Sequence, residues 1–380
     1  MTDRIREFLR NRRDDGPCVV VDLEVVRENY FAFARALPDT RVFYAVKANP
    51  APELLHLLAK LGSCFDCASV AEIEMGLAAG ATADRISFGN TIKKERDIAR
   101  ALELGVRLFA VDCQAEVEKI ERAKLLTGAK GVKVFCRILC DGAGAEWPLS
   151  RKFGCEIEMA RDLLVEAAAR GVVPHGVSFH VGSQQKDPQA WDDAIAQAAW
   201  IFQECEARGV KLSMLNIGGG FPARYRRDMP AMTAYGEAIH ESLSRHFGNN
   251  IPEIIVEPGR QMVGDAGIIQ TEVVLISRKG RNDPRRWVYL DIGKFGGLAE
   301  TMDEAIQYPI STPRKGKLER VILAGPTCDS ADVLYEKADY RMPIDLQVGD
   351  RLEIRSTGAY TTTYASVAFN GFEPIKTYCV

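Results

Sequence analysis

Lys47, Asp66, Arg137, His180, the run Gly218-Gly219-Gly220 and Glu257 each stand at or near the end of a short apolar run, and all are residue types that do chemistry. Lys47 closes Tyr44-Ala45-Val46. A lysine partly withdrawn from water has a lowered pKa and offers an amine nucleophile for a Schiff base, although a strand-end lysine also simply snorkels. Three successive glycines after Leu215-Asn216-Ile217 let backbone N–H groups converge on an anion, or form no more than a flexible loop. In Glu257-Pro258-Gly259-Arg260 the carboxylate can hold a ring nitrogen protonated and the guanidinium can grip a phosphate bidentately; a local salt bridge is the plainer alternative. His180, in Phe179-His180-Val181-Gly182-Ser183, could lie against a flat ring while Ser183 donates to a phosphate, or could be a satisfied core histidine. Far along the chain, Gly325-Pro326-Thr327-Cys328-Asp329-Ser330 joins a thiol proton donor to an anion suited to a cationic substrate, unless it is a surface turn with an incidental thiol. Gly358-Ala359-Tyr360 and Phe369-Asn370-Gly371-Phe372 read as a rigid aromatic loop with a core role.

Such residues need a scaffold that brings strand ends together. Eight short β-branched or aromatic runs, at 42–46, 64–67, 85–88, 108–111, 132–137, 176–180, 214–217 and 254–257, read as strands. Helical patterns separate them at 53–61, 70–79, 158–170 and 189–208, the second opened by Ser69 with Glu72 three residues on, a capping-box pattern. Strands alternating with helices predict an α/β fold, a (β/α)8 TIM barrel with its chemistry at the C-terminal strand ends. A doubly wound sheet is disfavoured because no G-x-G-x-x-G follows the first strand. After about residue 260 the texture becomes short alternating runs at 267–275, 286–290, 320–323 and 350–354, which predict a mainly antiparallel β domain. The expected division is a barrel over 25–260 and a β domain over 261–380, completed by residues 1–24.

With 380 residues, 47% of them apolar, and a net charge of -3, the chain reads as a soluble globular protein. No basic excess points to nucleic acid, no apolar run approaches the ~18 residues of a membrane span, and no signal peptide is evident, so the expected location is cytoplasmic. Cys64 and Cys67 form a C-x-x-C with no second pair at zinc spacing; they read as buried structural thiols, and no metal is expected.

Taken together, segments 44–50, 65–72, 180–184, 216–222, 257–260, 325–329, 358–360 and 369–372 resemble, in order, the ornithine, lysine, diaminopimelate and arginine decarboxylases of the alanine-racemase-like fold, which use pyridoxal 5'-phosphate (PLP). The resemblance runs from about residue 18 to 372. It implies that Lys47 carries the cofactor, that His180 stacks on its ring, and that Glu257 holds its pyridine nitrogen. Ser183, Gly218, Gly219, Gly220, Pro258, Gly259, Arg260 and Tyr360 would surround the phosphate, and Asp66, Glu72 and Arg137 would order the lysine and ring surroundings. Cys328 would protonate the α-carbon and Asp329 would meet the substrate's distal ammonium, both from the partner subunit of a homodimer with shared sites. Members similar to diaminopimelate decarboxylases carry Glu after this Cys, so Cys328-Asp329-Ser330 favours ornithine, making putrescine for polyamine synthesis, or lysine. Carboxynorspermidine decarboxylases match less well. Phe295 replaces the Tyr of animal-type members, and Asp303 and Glu304 both stand near the position of a second acid for the distal amine. The chain ends at Val380 without the C-terminal extension of animal members, pointing to a bacterial-type ornithine or lysine/ornithine enzyme. Racemases of this fold carry a Tyr where Cys328 stands, and a non-catalytic paralogue would have lost the lysine or the cofactor contacts that remain here.

Overall fold

The computed structural model describes residues 1–147 and 152–380. Eight parallel strands close a barrel: Thr40–Ala45, Cys64–Cys67, Ile86–Phe88, Leu108–Val111, Lys133–Arg137, Val173–Ser178, Met214–Asn216 and Glu253–Val256. The last pairs with the first, Ile254 opposite Thr40. All eight expected runs are barrel strands, displaced by up to three residues at their ends. The displacements matter for the chemistry. Lys47 lies on a single 3-10 turn, Val46–Ala48, beyond its strand, and His180 and Glu257 lie just past theirs. Phe43, Cys64, Ala110, Phe135, Met214 and Ile255 fill part of the interior, one side chain from each of six strands. Cys64 and Cys67 are free, buried thiols.

The helices follow their local signals. Pro52–Leu61 begins on a proline, which needs no N–H partner in a first turn, and ends at Gly62 in the left-handed region (φ 95°). Val70–Ala78 is capped by Ser69, whose side chain accepts from the Glu72 N–H. The return bond of a capping box is shifted by one residue: the Glu72 carboxylate accepts from the Ala68 N–H at 2.6 Å, not from Ser69. The stretch expected as one helix from 189 opens as a 3-10 turn, Pro188–Trp191, before the α-helix Asp192–Glu206.

The chain divides into two compact units: residues 27–222 with 229–259, which hold the barrel, and residues 1–26, 223–228 and 260–380. In the second unit the strand Gly267–Ser277 pairs antiparallel with Cys18–Val21, Arg286–Leu290 and Arg351–Arg355. The sheet is mixed rather than wholly antiparallel, because Arg286–Leu290 runs parallel to Leu318–Ala324 and Cys18–Val21 parallel to Lys376–Cys379. Ile5, Leu9, Cys18, Val20 and Ile268 form a small core there, so the helix Asp3–Asn11 covers the first strand. Among the described residues no helix is long and apolar enough to cross a membrane.

Barrel closure depends on backbones that approach where no side chain fits. A Cβ on Gly176 would stand 1.8 Å from the Met214 carbonyl oxygen of the neighbouring strand. Gly176→Ala is therefore expected to cost about 3 kcal/mol or to prevent folding, whereas Gly280→Ala, with nothing within 4 Å of the added carbon, should change stability by under about 0.5 kcal/mol. Urea unfolding of both variants checks this, and equal midpoints would remove the strand contact as a constraint.

Candidate active site

Six charged or titratable side chains gather at the C-terminal end of the barrel. Lys47 Nζ stands 3.9 Å from Asp66 Oδ2. Asp66 is buried on its strand, accepts from Ser87 Oγ at 3.3 Å, and is held above the ordinary carboxylate range by burial, against the pull of Lys47 and Arg137. The Lys47 side chain is half exposed (50%), because its strand stops at Ala45 and the residue lies on the turn that follows. Asp66 fits only because its neighbour is Gly89, where a Cβ would lie 1.8 Å from Asp66 Oδ1. Arg137 ends its strand, with its guanidinium 5.2 Å from the centre of the Phe153 ring. Burial lowers its pKa, and Glu257 and Asp66 raise it. Glu72, at the start of its helix, is pushed up by burial while the Ala68 N–H pulls it down.

Glu257 is pushed up to about 7, first by desolvation and then by the like charge of Asp66. Asn216 ties this carboxyl to the glycine run. Its amide nitrogen donates to Glu257, and its amide oxygen accepts from the Gly218 N–H at 2.9 Å. The glycines are a fitted cradle: a Cβ on Gly218, Gly219 or Gly220 would stand 2.2–2.5 Å from the carbonyl oxygens of Phe179, Glu257 and Gly182 respectively, and Gly218 and Gly220 have positive φ. His180 Nδ1 accepts from the Gly182 N–H at 3.0 Å, which assigns the proton to Nε2, and desolvation with the cations Arg137 and Lys47 pushes its pKa down to about 3. Ser183 begins the short strand Ser183–Gln185, paired with Ala145–Trp147.

The remaining expected residues lie in the other unit. Arg260 is buried; its Nη1 and Nη2 donate to both oxygens of Glu300 at 2.7 and 2.5 Å, and Nη1 also donates to Tyr225 Oη at 2.7 Å. One edge of the guanidinium is thus engaged by a carboxylate. Tyr360, at φ 55°, lays its ring 4.8 Å from the Arg260 guanidinium. Cys328 and Asp329 are exposed on one loop. Asp332 shapes that loop, accepting from Thr327 N and Oγ1 and from the Lys294 N–H, and it fills space that Gly293 and Gly325 leave open. Phe295 packs on Phe369 with ring centres 4.8 Å apart. Asp303 and Glu304 differ in their surroundings. Glu304 accepts from the N–H groups of Glu336, Lys337 and Ala338, each at 2.7 Å, and these hold it below its ordinary pKa despite burial, whereas Asp303 is exposed.

Asn216, Gly89, Asp332, Glu300 and Tyr225 were not singled out from the sequence. Asn216 alone had a local signal, being two residues from the glycine run; the partners of the others lie 23 to 40 residues away or, for Asp332, within a loop whose shape no pattern announces.

The signs of the shifts are opposite for the two central groups. Glu257 keeps its proton in the folded chain up to about pH 7, so its contribution to stability is present below the ordinary carboxylate pKa of 4.5 and is lost as pH rises through about 7. His180 stays neutral in the folded chain, so its contribution is present above 6.5 and is lost as pH falls toward about 3. In the ligand-free protein, 15N NMR should find the His180 ring neutral at pH 5, with its proton on Nε2; a His180 signal that titrates near 6.5 would remove the desolvated site.

A family profile described as pyridoxal-dependent decarboxylase, pyridoxal binding domain, matches residues 23–264. The lysine/ornithine decarboxylase of Selenomonas ruminantium is 36% identical over 362 residues, covering 95% of this chain and 88% of that protein. Among solved structures, SrLDC in complex with PLP and cadaverine is 34% identical with a TM-score of 0.88, over 100% of this chain and 94% of that one. The lysine/ornithine decarboxylase of Vibrio vulnificus in complex with putrescine is 31% identical with a TM-score of 0.87, over 99% and 97%. A parallel barrel with a glycine cradle, a buried carboxyl and a lysine at one end, joined to these matches over nearly the whole length, places the chain in the pyridoxal-dependent decarboxylase family.

Proposed function

We propose that this protein decarboxylates L-ornithine to putrescine and CO2, with L-lysine as its second substrate. The family relation carries the coarser statement, a PLP-dependent decarboxylation of a basic amino acid. The residues present fit the cofactor: a glycine cradle that admits no Cβ, a buried carboxyl pushed up to about 7 that can share a proton near neutral pH, and an uncharged imidazole stand together. When bound, PLP supplies a carbonyl that captures amines and a protonated ring that accepts the electron pair left by departing CO2.

The chain's own part is positioning and proton management. Lys47 would provide the amine that binds the cofactor, with Asp66 beside its Nζ. Glu257 would hold the proton at the pyridine nitrogen; Asn216 fixes the direction of its carboxyl. Neutral His180 would offer a flat face without charge competing for that proton. Arg137 would balance the two buried carboxyls. Gly218, Gly219, Gly220, Ser183, Arg260 and Tyr360 would hold the phosphate, with Pro258-Gly259 leading into Arg260. Cys328 would deliver a proton to the α-carbon, and Asp329 with Asp303 would meet the distal ammonium. The observation that supports the substrate is this last pair: Glu304 is committed to three backbone N–H groups, leaving Asp303 and Asp329 as exposed, short carboxylates suited to a distal ammonium. The exposure of Cys328 and Asp329 supports their use by the partner subunit of a cytoplasmic homodimer.

Rates of CO2 release with PLP on L-ornithine, L-lysine, L-arginine and meso-diaminopimelate test the substrate. Ornithine should lead in kcat/KM and lysine should follow within about 200-fold, the range one methylene supports. A preference for arginine or diaminopimelate would overturn the assignment. Lys47→Ala should abolish the visible cofactor absorbance. Mixed with Cys328→Ala subunits it should regain up to about a quarter of wild-type activity, since random pairing of inactive halves restores at most one intact site in half the dimers. No recovery after demonstrated subunit exchange would remove the shared site.

A further inference from the structure

Two non-glycine residues that the proposed function uses have backbones in the left-handed region: Asp303, at φ 52°, and Tyr360, at φ 55°. Such a conformation persists only where the surroundings over-determine it. For both, the surroundings include one ion pair. Tyr360 lies over the Arg260 guanidinium, and Asp303 belongs to the short turn Ala299–Glu304, which also carries Glu300. That turn is not a regular helix, since Met302 and Asp303 both leave helical φ and ψ. Its hold comes from carboxylates on either side of the kink. Glu300 is clamped on Arg260, and Glu304 on the three N–H groups of residues 336–338. Asp303 is presented between them.

The Arg260–Glu300 pair is an uneconomical way to stabilise a fold. Both side chains are only 4% exposed, and desolvating two charges offsets most of their attraction. What a bidentate fork supplies is orientation, and here the Tyr225 hydroxyl adds a third fixed contact. Arg260 also stands three residues after Glu257 in the chain.

We propose that Glu300 is a positioning residue that locks Arg260 and so ties the cofactor's phosphate anchor to the turn that presents Asp303 to the substrate. This rests on the phosphate role given to Arg260 above. Cofactor retention and the choice between diamino acids then share one buried carboxylate, and changing it moves both.

The test compares PLP with pyridoxal, which lacks the phosphate, binding to the cofactor-free full-length protein by absorbance and fluorescence titration. Glu300→Gln should weaken PLP about tenfold while pyridoxal changes less than about twofold. At saturating PLP its ornithine-to-lysine kcat/KM ratio should fall toward unity. Arg260→Lys is the reference and should reduce the same PLP preference. If Arg260→Lys lowers that preference and Glu300→Gln leaves it and the substrate ratio intact, the phosphate role stands and the positioning role is overturned. If Arg260→Lys leaves the preference intact, the phosphate role itself is lost, and this inference with it. Equal weakening of PLP and pyridoxal with a fall in Tm would reduce Glu300 to a fold-stabilising group, which also overturns the proposal. Should Glu300→Gln not fold, Tyr225→Phe takes its place. It removes one fixed contact to Arg260 without removing a charge, and an unchanged PLP preference there decides against the lock.

Discussion

Two carboxyls of like tendency, Asp66 and Glu257, share one poorly solvated end of a barrel, and each raises the cost of ionising the other. Their coexistence organises everything nearby. Arg137 and Lys47 supply opposing charge, Ser87 and Asn216 supply hydrogen bonds, and the balance leaves Glu257 able to carry a proton at neutral pH. Burial, reinforced by the same cations that moderate the carboxyls, keeps His180 uncharged. The protonation pattern thus belongs to the group, and altering one member redistributes charge among the others.

The glycines do for shape what these charges do for protonation. Gly89 makes room for a carboxyl, and Gly218, Gly219 and Gly220 let one loop press against the carbonyls of its neighbours. Asn216 joins the two systems, since one amide touches both the loop and Glu257. In the other unit Asp332 does comparable work for the loop of Cys328, with glycines at 293 and 325 yielding it space.

The barrel was legible because each parallel strand, buried on both faces, is a short apolar run bounded by polar residues, and because chemistry-bearing residues recur where those runs end. What a linear pattern does not carry is who meets whom. Glu300 reads as one more acid in a loop, and nothing in its neighbourhood announces Arg260, forty residues earlier. Glu304 and Asp303 are adjacent and chemically alike, and the three N–H groups of a distant strand distinguish their surroundings. That strand, Val333–Pro343, was itself hidden, because its register against Leu318–Ala324 shifts twice and breaks the alternation a strand is recognised by. Lys47 shows how a strand end is blurred in the sequence: its apolar approach runs up to it, but the strand stops two residues short.

The strand Cys18–Val21 lies between Gly267–Ser277 and Lys376–Cys379, paired with both. It is made long before either neighbour. The barrel closes only shortly before the first of them, since Thr40–Ala45 pairs with Glu253–Val256. Translation therefore imposes an order in which this β segment waits, apolar and unpaired, for partners made far later. A ribosome that stalls or a message truncated late in the reading frame would release a chain with a completed barrel and an open sheet edge, the species most exposed to chaperones and to aggregation.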